Sequence, residues 1–152
     1  MRMNRFIVSY RLLFVAVLAV LALATSATPA AAASSKFRVN GSFVITSVQG
    51  SNTTVDLSGR AAPGGPFTGQ FTGKQFKNGD VRGDVTLDFG GGNTLTYAQE
   101  LEFDEATNTI VGTYVITGGT GRFAGATGSG DTTIFPAGNG VGTFTVSGTL
   151  ST

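Results

Sequence analysis

The chain has 152 residues, 23 of them glycine, with 12% charged side chains and a formal net charge of +1. It contains no cysteine, histidine or tryptophan. These absences exclude zinc sites built from histidine and cysteine, Ser-His-Asp or Cys-His nucleophilic machinery, and disulfide or redox-thiol chemistry. Any catalysis must therefore use carboxylates, basic side chains, tyrosine, hydroxyl groups or backbone dipoles.

The first 33 residues have the pattern of a secretory signal peptide. Arg2, Arg5 and Arg11 precede an uncharged apolar run over residues 12–24, and a run of small residues ends at Ala33. A membrane-spanning helix needs ~20 apolar residues, so the pattern favours cleavage after Ala33 over a retained anchor. We expect a protein secreted to the medium, or to the periplasm of a Gram-negative host, with no membrane attachment after cleavage. The alanine-rich leader is typical of a bacterial source.

Removal of the leader changes the charge balance. Residues 34–152 hold seven basic and nine acidic side chains, a net charge of −2. No basic patch is present to neutralise phosphates, so we expect no nucleic-acid partner. The length of this part of the chain is typical of one domain.

Alternation of apolar and polar residues, interrupted by turn residues, predicts short antiparallel strands throughout residues 34–152. Eight strands are indicated, marked by Phe37–Ile45, Val55–Leu57, Phe67–Gly73, Val81–Phe89, Leu95–Phe103, Ile110–Ile116, Ala126–Phe135 and Val141–Leu150.

The fold class predicted from these strands is all-β, as an eight-stranded antiparallel barrel, with a β-sandwich as the alternative. A barrel is favoured because closure removes the exposed edges of strands that carry little charge or proline. Glycines on the apolar face, at positions 69, 73, 83 and 112, would permit the strong bending that a small barrel needs. Asn78-Gly79 predicts a hairpin with a type I′ turn.

One segment carries a family resemblance. Residues 114–128, YVITGGTGRFAGATG, are similar to the Gly-Gly-Thr/Ser-Gly-x-Phe-x-Gly-x-x-Gly segment of the allene oxide cyclase and dirigent barrel superfamily. The strand at Leu95-Thr96-Tyr97 and the closing strand at residues 142–148 occupy the expected places, so the resemblance covers residues 87–150. It implies an eight-stranded antiparallel barrel with an apolar lumen, often assembled as a homotrimer, that guides cyclisation or coupling of small apolar intermediates.

The resemblance transfers a fold rather than an active site. Its glycines would supply positive φ at a corner, and Phe123 would plug the barrel. The cyclase pattern leads us to expect an acidic group in the first strand, but residues 36–48 contain neither aspartate nor glutamate. No catalytic residue is therefore carried over.

Two patterns that imitate ligand sites do not support one. Gly119–Ala124 matches a dinucleotide fingerprint, but the glycines at 125, 128 and 130 argue against the helix which that motif requires. Asp80, Asp84 and Asp88 share the polar face of one strand, yet neighbours there are ~13 Å apart, too far to hold one metal ion. We expect neither a metal nor a cofactor.

Polar residues in register with apolar neighbours are the candidate ligand contacts. Tyr97, Gln99 and Tyr114 fall on the predicted inner face, and Gln75 extends the face of the third strand. Asp131 would point into the lumen if the odd-numbered face of its strand is the inner one. A buried Asp131 would have a raised pKa and could act as an acid or base, which makes it the candidate catalytic residue.

Three functions remain open from the sequence. The lumen could hold a small apolar molecule as a cofactor-free cyclase or isomerase, or as a carrier. Alternatively, the chain could be a structural or surface β-protein with a filled core.

Overall fold

The computed structural model describes residues 32–152, so nearly all of the predicted leader lies outside the described residues. Within the described part of the chain, no helix is long and apolar enough to cross a membrane. The eight strands are β1 (Ser34–Gln49), β2 (Asn52–Ala62), β3 (Gly65–Gln75), β4 (Val81–Asp88), β5 (Thr94–Asp104), β6 (Thr109–Gly119), β7 (Ser129–Gly138) and β8 (Val141–Ser151).

The strands form one closed antiparallel barrel in chain order, which confirms the predicted fold class and not the sandwich alternative. Each strand pairs with its sequence neighbours, and β1 closes the barrel by pairing with β8 from Ser34–Ser151 to Val44–Val141. Every strand thus has two partners, so no sheet edge is left unpaired along most of the wall.

The predicted alternation places the apolar side chains inside. In β5, Leu95, Tyr97 and Leu101 are buried, whereas Glu100 and Glu102 are exposed. The same period of two recurs in β2, β4 and β8, as expected for strands with one face on a core and one in solvent.

Two inner-face glycines allow neighbouring strands to approach closely. A Cβ atom at Gly83 would lie 2.2 Å from the carbonyl oxygen of Thr72, and one at Gly112 would lie 1.9 Å from that of Glu100. No other residue fits these positions without a shift of the backbone, which agrees with the bending predicted from the glycines.

The predicted type I′ turn at Asn78-Gly79 is wrong. Asn78 does not have a positive φ; only Gly79 does, at 92°. The Gly79 N–H donates to the Phe76 oxygen and the Phe76 N–H to the Asp80 oxygen, so the loop has three residues and Gly79 takes its positive-φ position. The two-residue turn with positive φ at both positions lies instead at Asn139-Gly140, between β7 and β8.

Candidate functional site

The two ends of the barrel differ. At the hairpin end lie the connections β1–β2, β3–β4, β5–β6 and β7–β8, formed by residues 50–51, 76–80, 105–108 and 139–140. At the opposite end, the β6–β7 connection over residues 120–128 folds across the barrel and includes a short 3-10 turn, Gly121–Phe123. We call residues 120–128 the plug segment.

The plug segment is fixed by local contacts. Phe123 is buried, and its ring centroid lies 4.9 Å from that of Phe89. The Arg122 guanidinium lies over both rings and donates to the Gly64 carbonyl, while the Arg122 N–H donates to Oδ1 of Asn93. Gly121 has a φ of 59°. The expectation that this glycine-rich segment turns a corner and plugs the barrel is confirmed, and the dinucleotide reading fails because β7 follows instead of a helix.

A cavity of about 220 Å³ occupies the interior toward the hairpin end. This volume exceeds the roughly 150 Å³ of an apolar cavity that accommodates benzene. All eight strands contribute to its lining, which is mainly apolar and comprises Phe43, Ile45, Thr53, Val55, Leu57, Phe71, Gln75, Val81, Val85, Tyr97, Gln99, Leu101, Ile110, Thr132, Ile134 and Phe144.

The rim of the cavity is mainly apolar and partly open to solvent. Val81, the first residue of β4, pairs with Leu101, so β5 continues beyond β4. Phe103 therefore lies at the rim with 52% of its side chain exposed, although its position in the alternation predicted an inward direction. Ile45, in β1 on the opposite wall, lines the cavity and is 39% exposed, so the cavity opens at the hairpin end of the barrel.

Two predicted contacts lie together in the cavity wall. Tyr97 and Gln99 are consecutive inward residues of β5, and their side chains are 1% and 6% exposed. Gln75 also lines the cavity but is exposed, because it ends β3 at the rim. The structure thus brings Tyr97 and Gln99 to the interior and leaves Gln75 at the entrance.

Tyr114 is buried beside the cavity but does not line it. Its ring centroid lies 5.3 Å from that of Tyr97. Tyr114 pairs with Gly130 of β7, and Gly130 pairs with Gly148 of β8, so the three residues form one row across the strands. A Cβ at Gly148 would lie 2.6 Å from the Tyr114 hydroxyl, so the glycines make room for this ring. Its buried hydroxyl has no hydrogen-bond partner among the described residues.

The expectation that Asp131 points into the lumen is wrong. Asp131 is exposed, whereas its neighbour Thr132 is buried, so the even-numbered face of β7 is the inner one. A carboxylate is costly to bury without a partner, and the register places Asp131 beside the exposed Thr113 and Ser147 of the outer face. The burial on which an acid or base role depended is absent.

Sequence reasoning missed Thr132. It lines the cavity, is 2% exposed, and its hydroxyl has no partner among the described residues. The presence of Asp131 next to it was the available signal, since a charged residue marks the outer face of a half-buried strand.

The electrostatics of the cavity are those of a neutral site. None of its lining side chains is charged. Burial, with a smaller effect from Tyr114, raises the pKa of Tyr97 far above its usual value. Burial and the charge of Asp131 raise the pKa of Tyr114 to about 12. Both tyrosines are therefore neutral near pH 7.

No group of acidic side chains in residues 32–152 is arranged to hold a metal ion. Asp104 accepts hydrogen bonds from the Thr107 hydroxyl and the Ala106 N–H, which lower the pKa of its carboxyl group. These contacts close the β5–β6 turn, so the position of Asp104 is explained by turn structure.

Comparison with known proteins supports the fold. No protein-family model and no curated protein matches the sequence. Among solved structures, the chain is similar to the pterocarpan synthase dirigent protein GePTS1, with a TM-score of 0.51 and 14% sequence identity; the match covers 79% of this chain and 86% of that chain. The likeness and the closed barrel confirm the dirigent-like fold implied by residues 87–150.

Proposed function

We propose that this protein is a secreted β-barrel that binds a small apolar molecule in the cavity at the hairpin end. The observation that carries the proposal is the cavity itself, about 220 Å³ in volume and lined mostly by apolar side chains. Ligand sites are typically concave and apolar with a few placed polar groups, and Tyr97, Gln99 and Thr132 supply such groups here. A structural protein with a filled core would not need this space.

The chemistry of the lining favours binding over catalysis as the function of the cavity. General acid–base catalysis works best with a pKa near the operating pH, whereas burial keeps Tyr97 protonated and the rest of the lining is uncharged. A cofactor-free cyclase or isomerase acting in this cavity would have to work through shape and orientation of its substrate. Catalysis by shape and orientation is thus the alternative within the same proposal, and it also requires that a small molecule occupies the cavity.

Export and assembly are further parts of the proposal. The pattern of residues 1–33 supports secretion, and β1 begins at Ser34, directly after the proposed cleavage site. If the leader is removed as proposed, the intact mass of the protein recovered from the medium would correspond to a chain that starts at Ser34. Under native conditions, the same spectrum would distinguish a monomer from the homotrimer and would report any retained small molecule.

The test of binding is a substitution at the cavity wall with a matched control. Val81 lines the cavity, whereas Val115 is 57% exposed on the outer face of β6. In Val81→Trp an indole ring would occupy the entrance, and in Val115→Trp it would lie in solvent. We expect p-cresol to shift the methyl NMR signals of Val85 and Leu101 in the wild type and in Val115→Trp, with at least tenfold weaker binding in Val81→Trp. Equal binding by the two variants, or no shift in the wild type, would overturn the proposal.

A further inference from the structure

Thr132 lies in the wall of the cavity, and its buried hydroxyl has no hydrogen-bond partner among the described residues. The residue is 2% exposed. Threonine offers both a donor and an acceptor, and an unmatched buried hydroxyl is unfavourable. A ligand group that hydrogen-bonds to it would remove this penalty.

The register of β5, β6 and β7 places Thr132 in the wall of the cavity. Thr132 lies opposite Gly112 on β6, and Gly112 lies opposite Leu101 on β5. Because Gly112 has no side chain, β6 places no side chain between Leu101 and Thr132 on the inner face. The next register row is different, since the Tyr114 ring fills the space over Gly130 and Gly148. Thr132 therefore lines the cavity and Tyr114 does not, and Gln99 lines the same cavity one inward position from Leu101.

The lining also limits the charge of a ligand. It contains no acidic or basic side chain, so an ionised ligand would lose its hydration without gaining an opposite charge. A neutral ligand with a single oxygen group would lose little free energy on leaving water, because Thr132 and Gln99 can each donate and accept hydrogen bonds in place of water.

We infer that the ligand is an uncharged molecule with an apolar body about the size of one aromatic ring and one hydroxyl or carbonyl group, which hydrogen-bonds to Thr132. This inference rests on the proposed function and narrows its ligand class. Thr132 acts as the residue that distinguishes oxygenated molecules from hydrocarbons of equal shape.

The test compares p-cresol with p-xylene, which differ by a hydroxyl in place of a methyl group. Dissociation constants are measured by NMR titration of the chain expressed with its own leader, in the wild type and in Thr132→Val, which keeps the shape and the β-branch. A net hydrogen bond corresponds to a factor of roughly 2 to 10. We expect the preference for p-cresol over p-xylene to fall by about that factor in Thr132→Val, mainly through weaker p-cresol binding.

Three controls define the outcome. Thr132→Ser keeps the hydroxyl and should keep the preference, and Tyr114→Phe removes an unpaired hydroxyl outside the cavity and should leave it unchanged. The anion 4-methylbenzoate should bind at least tenfold more weakly than p-cresol. The inference would be overturned by an unchanged preference for p-cresol over p-xylene in Thr132→Val, by an equal change of this preference in Tyr114→Phe, or by tighter binding of the anion than of p-cresol. In each of these cases, binding of p-xylene in the cavity would still support the proposed function. Failure of both neutral probes to shift the cavity methyl groups would overturn both.

Discussion

The Tyr114 hydroxyl shows how burial at a single residue links the barrel interior to the pH of the solution. Its pKa is raised to about 12 by burial and by the charge of Asp131, and burial raises the pKa of Tyr97 as well. In the unfolded chain both tyrosines have their ordinary pKa of about 10. Their contribution to stability is therefore complete below pH 10 and is lost as the pH rises above it, because only the unfolded state then releases its protons.

We predict that the free energy of unfolding decreases by up to about 1.4 kcal/mol per pH unit for each tyrosine between pH 10 and 12. In Tyr114→Phe one of these two contributions is absent, so the decrease should be shallower by that amount. Urea unfolding followed at pH 9, 10.5 and 11.5 in the wild type and the variant measures the difference, and charged surface groups common to both cancel. Parallel pH profiles would show that the Tyr114 phenol ionises as readily in the folded barrel as in the unfolded chain.

At the scale of the strand, two of the three glycines of β6 have different roles. Gly112 approaches β5 so closely that an added Cβ would lie 1.9 Å from the Glu100 oxygen, whereas a Cβ at Gly118 would meet nothing within 4 Å. Neither has a positive φ, so the two positions differ in space rather than in backbone conformation.

We predict that Gly112→Ala forces β5 and β6 apart and destabilises the barrel by about 1–3 kcal/mol or more, as overpacking does in other cores. Gly118→Ala should be neutral or stabilise by up to about 1 kcal/mol, because alanine restricts the unfolded chain. Thermal and urea unfolding of both variants provide the measurement. Similar stabilities would mean that the contact at Gly112 relaxes at little cost.

The sequence predicted the strands because their alternation is a direct consequence of one buried and one solvated face. Leu95, Tyr97 and Gln99 were placed correctly for that reason. In β7 the alternation is ambiguous, since Ile134 and Phe135 put one large apolar side chain on each face, so the sequence left open which face is the inner one, and Asp131 is on the outer one.

The Asn-Gly pair alone does not determine the type of turn. Both Asn78-Gly79 and Asn139-Gly140 suit a type I′ turn, but the Phe76 N–H donates to the Asp80 oxygen and the Gly79 N–H to the Phe76 oxygen, which gives the first loop three residues. The family resemblance implied an apolar lumen, but the sequence could not predict which residues would line the cavity together. Thr132, for example, shares the cavity with Leu101 because the register of β5, β6 and β7 places both in one row with Gly112.

At the scale of the whole molecule, the fold depends on the β1–β8 seam. Phe37 and Val39 of β1 are fully buried, and their segment pairs with β8 on one side and with β2 on the other. The Phe37 ring lies 6.2 Å from that of Tyr114, so the seam also supports the far wall. The chain contains no cysteine, so its stability must come from packing and hydrogen bonds such as these.

We predict that a chain of residues 34–152 keeps the complete seam and unfolds in one cooperative transition, whereas a chain of residues 40–152 does not. The shorter chain loses two buried side chains worth about 1.5–3 kcal/mol each, and it exposes the edge of β8 to association. That loss is a large part of the 5–15 kcal/mol typical of a domain. Circular dichroism during urea unfolding would measure the stability, and gel filtration would detect aggregation. If residues 40–152 were as stable and as monodisperse as residues 34–152, residues 34–39 of β1 would be dispensable. Closure of the barrel by this part of the strand would then contribute little to the fold.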